Sequence, residues 1–470
     1  LPACSTSSTP ISIDITAGQE TTAFVDSGAT ECSITVQSLD GTIDETVTAA
    51  PGKTFDMPTD IPNDEQVYVT VVCTAEDGSQ VMAGESLSGL LLSAVTSGIP
   101  IFVQRIDQWA RPPGGLVCSH LGGIATVEAE RFLVLTGGTR AKTDTSCDMS
   151  QDDGYDTFAL GGTDPTANFL PASPTTPQTL VSLGSQMLAI VGDSASLIDL
   201  SGVNDPVVQA VPSPLKSFAD VAGGAVILGT TSSFVVGATR TSSASQMVLE
   251  VSSDGSTLTA YELSAPRKGA AATWVQNANG GGFAGLVVAG GSATGAGVEL
   301  LGATATATGF TTLPYMPIAT VGASAVTDGS EGFFLFGGVD GTMPGPSWHM
   351  ETTCNPCTPT PLTTTGLPSL PTVTGASAYS FSTGNGLNDL VVGTDATTGM
   401  IRSFILDVSN LPNVPITEVF LKEPRKGATV IASPIGTLAL MGGQHADGTP
   451  ALSVEMFRPH WFAQSPVLSN

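Results

Sequence analysis

Short apolar runs that end on glycine recur along this sequence and limit its fold more than any other feature. They are VLTGG up to Gly138, AIVG at Gly192, VILG at Gly229, VVAGG at Gly291, FLFGG at Gly338, LVVG at Gly393 and ALMGG at Gly443. A brief run of β-branched and aliphatic residues reads as a buried strand. A glycine at its end lets the backbone turn with positive φ or lie close against a neighbour. A second marker precedes the later runs: KGAAATW with Gly269, VGASAV with Gly322, TGASAY with Gly375 and KGATVIA with Gly427, at intervals of 53, 53 and 52 positions. Fainter copies surround Gly123, Gly184 and Gly223. A period near fifty with about four short strands per unit predicts radial sheets of a propeller, since solenoid repeats are shorter and carry helices.

The bulk numbers agree with an all-β chain. There are 470 residues, 41% of them hydrophobic, with 54 Gly and 32 Pro, which suits strands separated by many turns and argues against disorder. Room exists for more than one domain. No apolar run reaches membrane-span length; LSGLLLSAV near Leu90 is too short. A net charge of −27 makes nucleic acid an improbable partner.

Seven cysteines stand at positions 4, 32, 73, 118, 147, 354 and 357, and their spacing fits no zinc motif. They read as disulfides of an oxidising compartment. Cys354 and Cys357 predict a small loop staple, with a redox motif as the alternative that lacks its usual βαβ surroundings. No Asn-x-Ser/Thr acceptor occurs, which favours a bacterial protein, secreted or on the outer cell surface, over a eukaryotic glycoprotein. Leu-Pro-Ala-Cys at the start resembles a lipobox, so Cys4 is either a lipid site, and then a membrane link, or a free or intermolecular thiol.

Residues 1–97 alternate apolar and polar at period two in ISIDITA, TTAFVDS, ECSITVQSLDG, DETVTAA, QVYVTVVCTAEDG and VMAGESL. That predicts a small antiparallel sandwich, immunoglobulin-like or transthyretin-like, with Cys32 and Cys73 bridging its two sheets. Residues 98–470 then form the propeller. The last unit is short of an outer strand, and an early strand, near 101–108, is expected to complete it and close the ring. The seven units run 118–177, 178–214, 215–265, 266–317, 318–372, 373–423 and 424–470. Third strands carry an acid between apolar neighbours, as in Asp199, Glu250, Asp407 and Glu455. Such acids alternate outward or accept backbone N–H bonds.

The Gly-Gly after an apolar strand, the fifty-residue period and Val454-Glu455-Met456-Phe457 resemble kelch repeats. A small leading sandwich joined to a propeller by Arg-Ile-Asp-Gln-Trp-Ala-Arg-Pro-Pro is similar to surface proteins of predatory and gliding Gram-negative bacteria of the myxobacterial kind. The likeness covers about four fifths of the chain and implies a fold; it does not name a ligand. Several units lack the second Gly and the usual Tyr and Trp.

In such a ring, the loop entering a sheet and the loop after its second strand share one face. Cys118 and Cys147 lie in these two loops of the first unit and are expected to pair. Eight of the fifteen Lys and Arg fall on that face: Arg111, Arg140, Lys142, Lys216, Arg267, Lys268, Arg425 and Lys426. They suggest a positive rim for an acidic ligand or a neighbouring subunit, unless they pair internally with Asp340, Glu331 or Asp152. Asp144, Asp148, Asp152, Asp153 and Asp156 cluster in one stretch, a weak calcium candidate whose spacing departs from an EF-hand loop. His120, His349, His445 and His460 are scattered, and no nucleophile elbow, P-loop or zincin motif occurs.

The expectation is therefore a non-catalytic extracellular binding or assembly module without a cofactor, recognising protein partners and associating with itself in a layer or filament. A propeller enzyme acting on glycans or acidic polymers would need a carboxylate pair in a cleft. A lipid-anchored sensor would need Cys4 modified.

Overall fold

The computed structural model describes residues 11–460 except 57–60, 62–64, 88, 96–97, 142, 146–153, 161–167, 171–175, 200–206, 213, 216, 277–284, 293–295, 303–307, 319, 330–331, 341–342, 345–346, 353–357, 366–372, 384–385 and 434. The chain is all-β, and from residue 124 onward it is a succession of antiparallel meanders. The first pairs Ile124–Glu128, Phe132–Thr136, Tyr155–Ala159 and Asn168–Leu170 in sequence order. Four-stranded sheets of the same kind follow over 179–210, 225–267 and 271–318. The next contains Val321–Thr327, Gly332–Asp340, Trp348–Glu351 and Thr360–Pro361, with Met343–Pro344 added beside its second strand. After it come Val373–Thr383, Gly386–Asp395, Ile401–Asp407 and Asn413–Val419, and then Thr429–Ala432, Leu438–Met441 and Glu455–Arg458.

Two observations arrange these sheets around an axis. First, each leading strand touches the next: Ile124–Glu128 meets Thr179–Ser182, then Ala225–Leu228, Ala271–Val275, Val321–Thr327 and Val373–Thr383 in turn. Tyr379 donates to the Val430 carbonyl of the last leading strand, and that strand returns to Ile124–Glu128. Second, the apolar core is a series of layers between consecutive sheets. Leu133, Leu135 and Phe158 of the first sheet pack on Ala439, Met441 and Met456 of the last. Leading strands that close a circle, with wedges of core between radial sheets, define a β-propeller.

The last sheet is completed by Gln108–Ala110, which pairs antiparallel with Glu455–Arg458, setting Trp109 opposite Phe457. Closure by an early strand was expected, but over 101–108. Instead Ile99–Phe102 runs parallel to Ser12–Thr16, and Gln104–Arg105 pairs with Gln80–Glu85. Ile99 and Ile101 are buried in the N-terminal core, and that burial holds the segment there. The change of partner thus falls after Arg105, not at 97/98. At the other boundaries, Thr363–Thr365, assigned to the fifth unit, pairs parallel with Asn413–Val419 in the following sheet.

The N-terminal strands form two sheets around one cluster. Phe55–Asp56, Ser12–Thr16 and Ile99–Phe102 make one; Asp44–Ala49, Ala29–Ser38, Gln66–Ala75, Gln80–Glu85 and Gln104–Arg105 make the other. TTAFVDS is not a strand: Ala23–Asp26 is a short helix in which only Ala23 is buried. Cys32 and Cys73 do form a disulfide. It joins directly opposed residues of neighbouring strands within one sheet, so the expected bridge between sheets is corrected. Both side chains point to the same buried face because opposed residues share a face.

Candidate functional site

Three sheets repeat one buried arrangement of charge. In the last sheet, Arg425 precedes the marker glycine Gly427 by two residues and turns inward. Its Nη2 donates to Glu455 Oε1 at 2.8 Å, and its Nη1 reaches the carbonyls of Ser453 at 2.7 Å and Gly442 at 3.4 Å. Glu455 also accepts the backbone N–H groups of Lys422 and Glu423 at 2.7 and 3.0 Å. Neither Arg425 nor Glu455 is exposed. Burial pushes the carboxyl of Glu455 up and the guanidinium of Arg425 down, with each partner's charge opposing the shift.

The sheet over 271–318 repeats this with Arg267 and Glu299. Arg267 donates to Glu299, to the Gly297 carbonyl at 2.6 Å and to the Gly290 carbonyl at 3.4 Å. Glu299 accepts Ser264 N–H and Oγ at 2.9 and 2.8 Å. In the first sheet His120 stands at the arginine's position, two residues before Gly122. Its Nδ1 lies 2.9 Å from the Gly137 carbonyl, and its Nε2 lies 3.8 Å from Asp156 Oδ2. Asp156 accepts the N–H groups of Val117 and Cys118 at 2.7 and 2.8 Å. In all three, the cation or imidazole binds the first glycine carbonyl after the second strand and faces a third-strand acid, which gathers the incoming loop's N–H groups.

This arrangement corrects one expectation. Arg267 and Arg425 do not line a positive rim; they are buried, because a guanidinium there satisfies several carbonyls that strand geometry leaves unpaired. Arg111 is also committed, bonding Glu20 and Glu423 at 2.8 Å each and tying the N-terminal part to the last sheet. Lys268 is exposed, while Lys426 and Arg140 are half-buried; Lys142 and Lys216 lie outside the described residues. Of the calcium candidate, two of the five carboxylates are among the described residues. Asp156 is a buried strand residue, and Asp144 accepts the Ser119 N–H at 2.9 Å. Asp148, Asp152 and Asp153 lie outside the described residues.

Cys118 is disulfide-bonded, while Cys147, Cys354, Cys357 and Cys4 lie outside the described residues. Donor atoms of Cys118, His120 and Asp156 fall within 4.8 Å of one another. A disulfide sulfur is no thiolate, so only two of the three are metal donors. Among the other acids of third strands, Glu250 accepts Ser232 Oγ and Tyr261 Oη at 2.7 and 2.9 Å, and Asp407 caps Ser409. The triplet pattern pointed to Glu455 but passed over Val298-Glu299-Leu300. The available signal was the repeated Pro-Arg-Lys-Gly-Ala at 266–270 and 424–428, each followed by Val-Glu on a third strand. His349 also pairs with an acid, Asp328, at 2.9 Å, a relation hidden by their distance in sequence.

No protein-family model and no curated protein matches the chain. Among solved structures, a quinonprotein alcohol dehydrogenase-like protein from Bacteroides thetaiotaomicron is similar over 87% of this chain and 95% of its own, at 10% identity and a TM-score of 0.40. The WD40 domain of SCAP from fission yeast is similar over 71% of this chain and 81% of its own, at 11% identity and a TM-score of 0.40. No helix among the described residues is long and apolar enough to cross a membrane.

Proposed function

We propose that this is a secreted or outer-surface bacterial protein in which an immunoglobulin-like or transthyretin-like sandwich precedes a seven-bladed, kelch-like propeller. It acts without catalysis as a binding and assembly module and associates with other copies of itself. The observation that supports this reading is the division of labour inside Pro-Arg-Lys-Gly-Ala. Arg267 and Arg425 turn inward and fix the loop to a buried acid, while the adjoining Lys268 is exposed and Lys426 half-exposed. A fixed loop that presents lysines, on a chain of net charge −27, matches a carboxylate-rich partner, and another copy of the chain is such a partner. The disulfide between Cys32 and Cys73 supports an oxidising compartment.

Light scattering coupled to size exclusion, across protein concentration and salt, tests the reading. Association that weakens with salt, and that Lys268→Glu with Lys426→Glu abolishes, is the expected result. A strict monomer at every concentration contradicts it.

A further inference from the structure

We propose that His120 and Asp156 share a single proton, and that this proton makes the seam between the last and first sheets the pH-sensitive joint of the ring. The seam is built around His120. Gly122 donates to the Gly427 carbonyl at 2.7 Å, Gly443 donates to the Ser119 carbonyl, and Thr429 Oγ1 donates to the Gly123 carbonyl. The other two copies of the arrangement carry arginine, which keeps its charge at every working pH. Only at the seam does a titratable side chain stand in its place.

The geometry requires the proton. The Gly137 carbonyl is an acceptor only, so the His120 Nδ1 beside it carries hydrogen. In a neutral ring Nε2 is then a bare acceptor, and it faces a carboxylate. Both residues are buried; Nε2 and Asp156 Oδ1 have no hydrogen-bond partner, while Oδ2, 3.8 Å from Nε2, accepts the N–H groups of Val117 and Cys118. Two acceptors held together out of water are unfavourable, and one proton on either member relieves the contact. Burial pushes Asp156 up to about 7 and lowers His120, which places the proton on the carboxyl.

The charged groups around the pair do not supply a substitute. On the first sheet's loops, the Asp144 carboxylate favours a charged His120 and Arg140 opposes it. Tyr155, pushed up to about 12, stays neutral, and the Cys118 sulfur is bonded. From the last sheet, the titratable side chains of the packed loops are Lys426, whose backbone pairs with Gln444, and the adjoining His445.

The sign follows by linkage. Asp156 is raised in the folded protein, so folding retains a proton that the unfolded chain releases near pH 4. The stability this confers at Asp156 is complete below that pH and is lost as pH rises through about 7, while the lowered His120 acts in the opposite sense, so comparison with a variant lacking the carboxyl isolates the Asp156 contribution.

Thermal midpoints of the wild type and Asp156→Asn, compared from about pH 4 to about pH 8.5, test the proposal. Asparagine with its oxygen at the Oδ2 position keeps the acceptor for Val117 and Cys118 and removes the titrating carboxyl. The wild-type midpoint is expected to fall by several degrees relative to the variant as pH rises to neutrality, with faster hydrogen exchange at Gly122 and Gly443 after correction for intrinsic rates. Parallel curves overturn the proposal. If the variant does not fold, ¹³C NMR of the wild-type Asp156 carboxyl decides: titration near neutrality supports the shared proton, and titration below about pH 5 overturns it.

Discussion

Arg425 and Glu455 meet at 2.8 Å with neither side chain reached by solvent, and their contact joins the loop entering the last sheet to that sheet's third strand. A buried pair gains little over an apolar replacement of equal shape, yet losing one partner strands the other's charge. Arg425→Met is therefore expected to cost about 3–5 kcal/mol. Glu455→Gln keeps an oxygen for the backbone donors and is expected to cost less. Denaturant titration of the two variants gives the order; equal and small losses would contradict the account.

Gly443 closes the last Gly-Gly pair with φ of +94°, and an added Cβ would lie 2.6 Å from the Lys426 carbonyl oxygen. Gly448 has a similar φ of +88° but meets nothing within 4 Å. Gly448→Ala is expected to cost about 1 kcal/mol, from backbone strain alone. Gly443→Ala adds a clash with backbone and should cost about 1–3 kcal/mol more. Comparing the two unfolding free energies separates close approach from conformation.

Trp109 is fully buried, donates from Nε1 to Ser403 Oγ at 2.8 Å and packs on Phe457 with ring centroids 5.5 Å apart. Trp109→Ala is expected to cost about 3–5 kcal/mol. Because the closing strand hangs on this side chain, hydrogen exchange should rise first at Glu455–Arg458, and a uniform rise throughout the ring would count against that reading.

Asp389 lies buried opposite Ser380 on neighbouring strands, and burial pushes its carboxyl well above the usual range. The folded protein then holds a proton that the unfolded chain gives up near pH 4. Stability from this site is present at low pH and falls as pH rises toward the folded value. Asp389→Asn removes the dependence, so the difference between the two proteins should shift in the variant's favour from pH 4 upward. Chemical unfolding at several pH values measures it.

The fold was legible where local rules act alone. Gly-Gly after VVA and ALM marks the ends of second strands, while after FLF it falls within Gly332–Asp340; glycine tolerates positive φ against the leading strand in each case. The fifty-residue interval gave the succession of meanders. Closure was foreseen but displaced from 101–108 to 108–110, because Ile-Pro-Ile-Phe satisfies an outer strand and an N-terminal core strand equally well. Only packing of Ile99 and Ile101 decides between them. The charge pattern misled for a related reason. Arg267 and Arg425 look like loop cations in sequence, and nothing local shows that Glu299 and Glu455 wait on strands some thirty residues later. In sequence, His120 is one of four scattered histidines and Asp156 the last acid of an acidic stretch. Their shared position with the Arg–Glu pairs emerges only when the sheets are superimposed by strand order.

The central claim is that the chain's early segment seals the ring. Ala110 and Met456 are directly opposed in the closing pair, and both are buried. Mild oxidation of a protein carrying Ala110→Cys and Met456→Cys, followed by peptide mass mapping, tests it directly. The account predicts a single intramolecular cross-link between those positions with the fold retained. Free thiols, or links formed only between molecules, would contradict it.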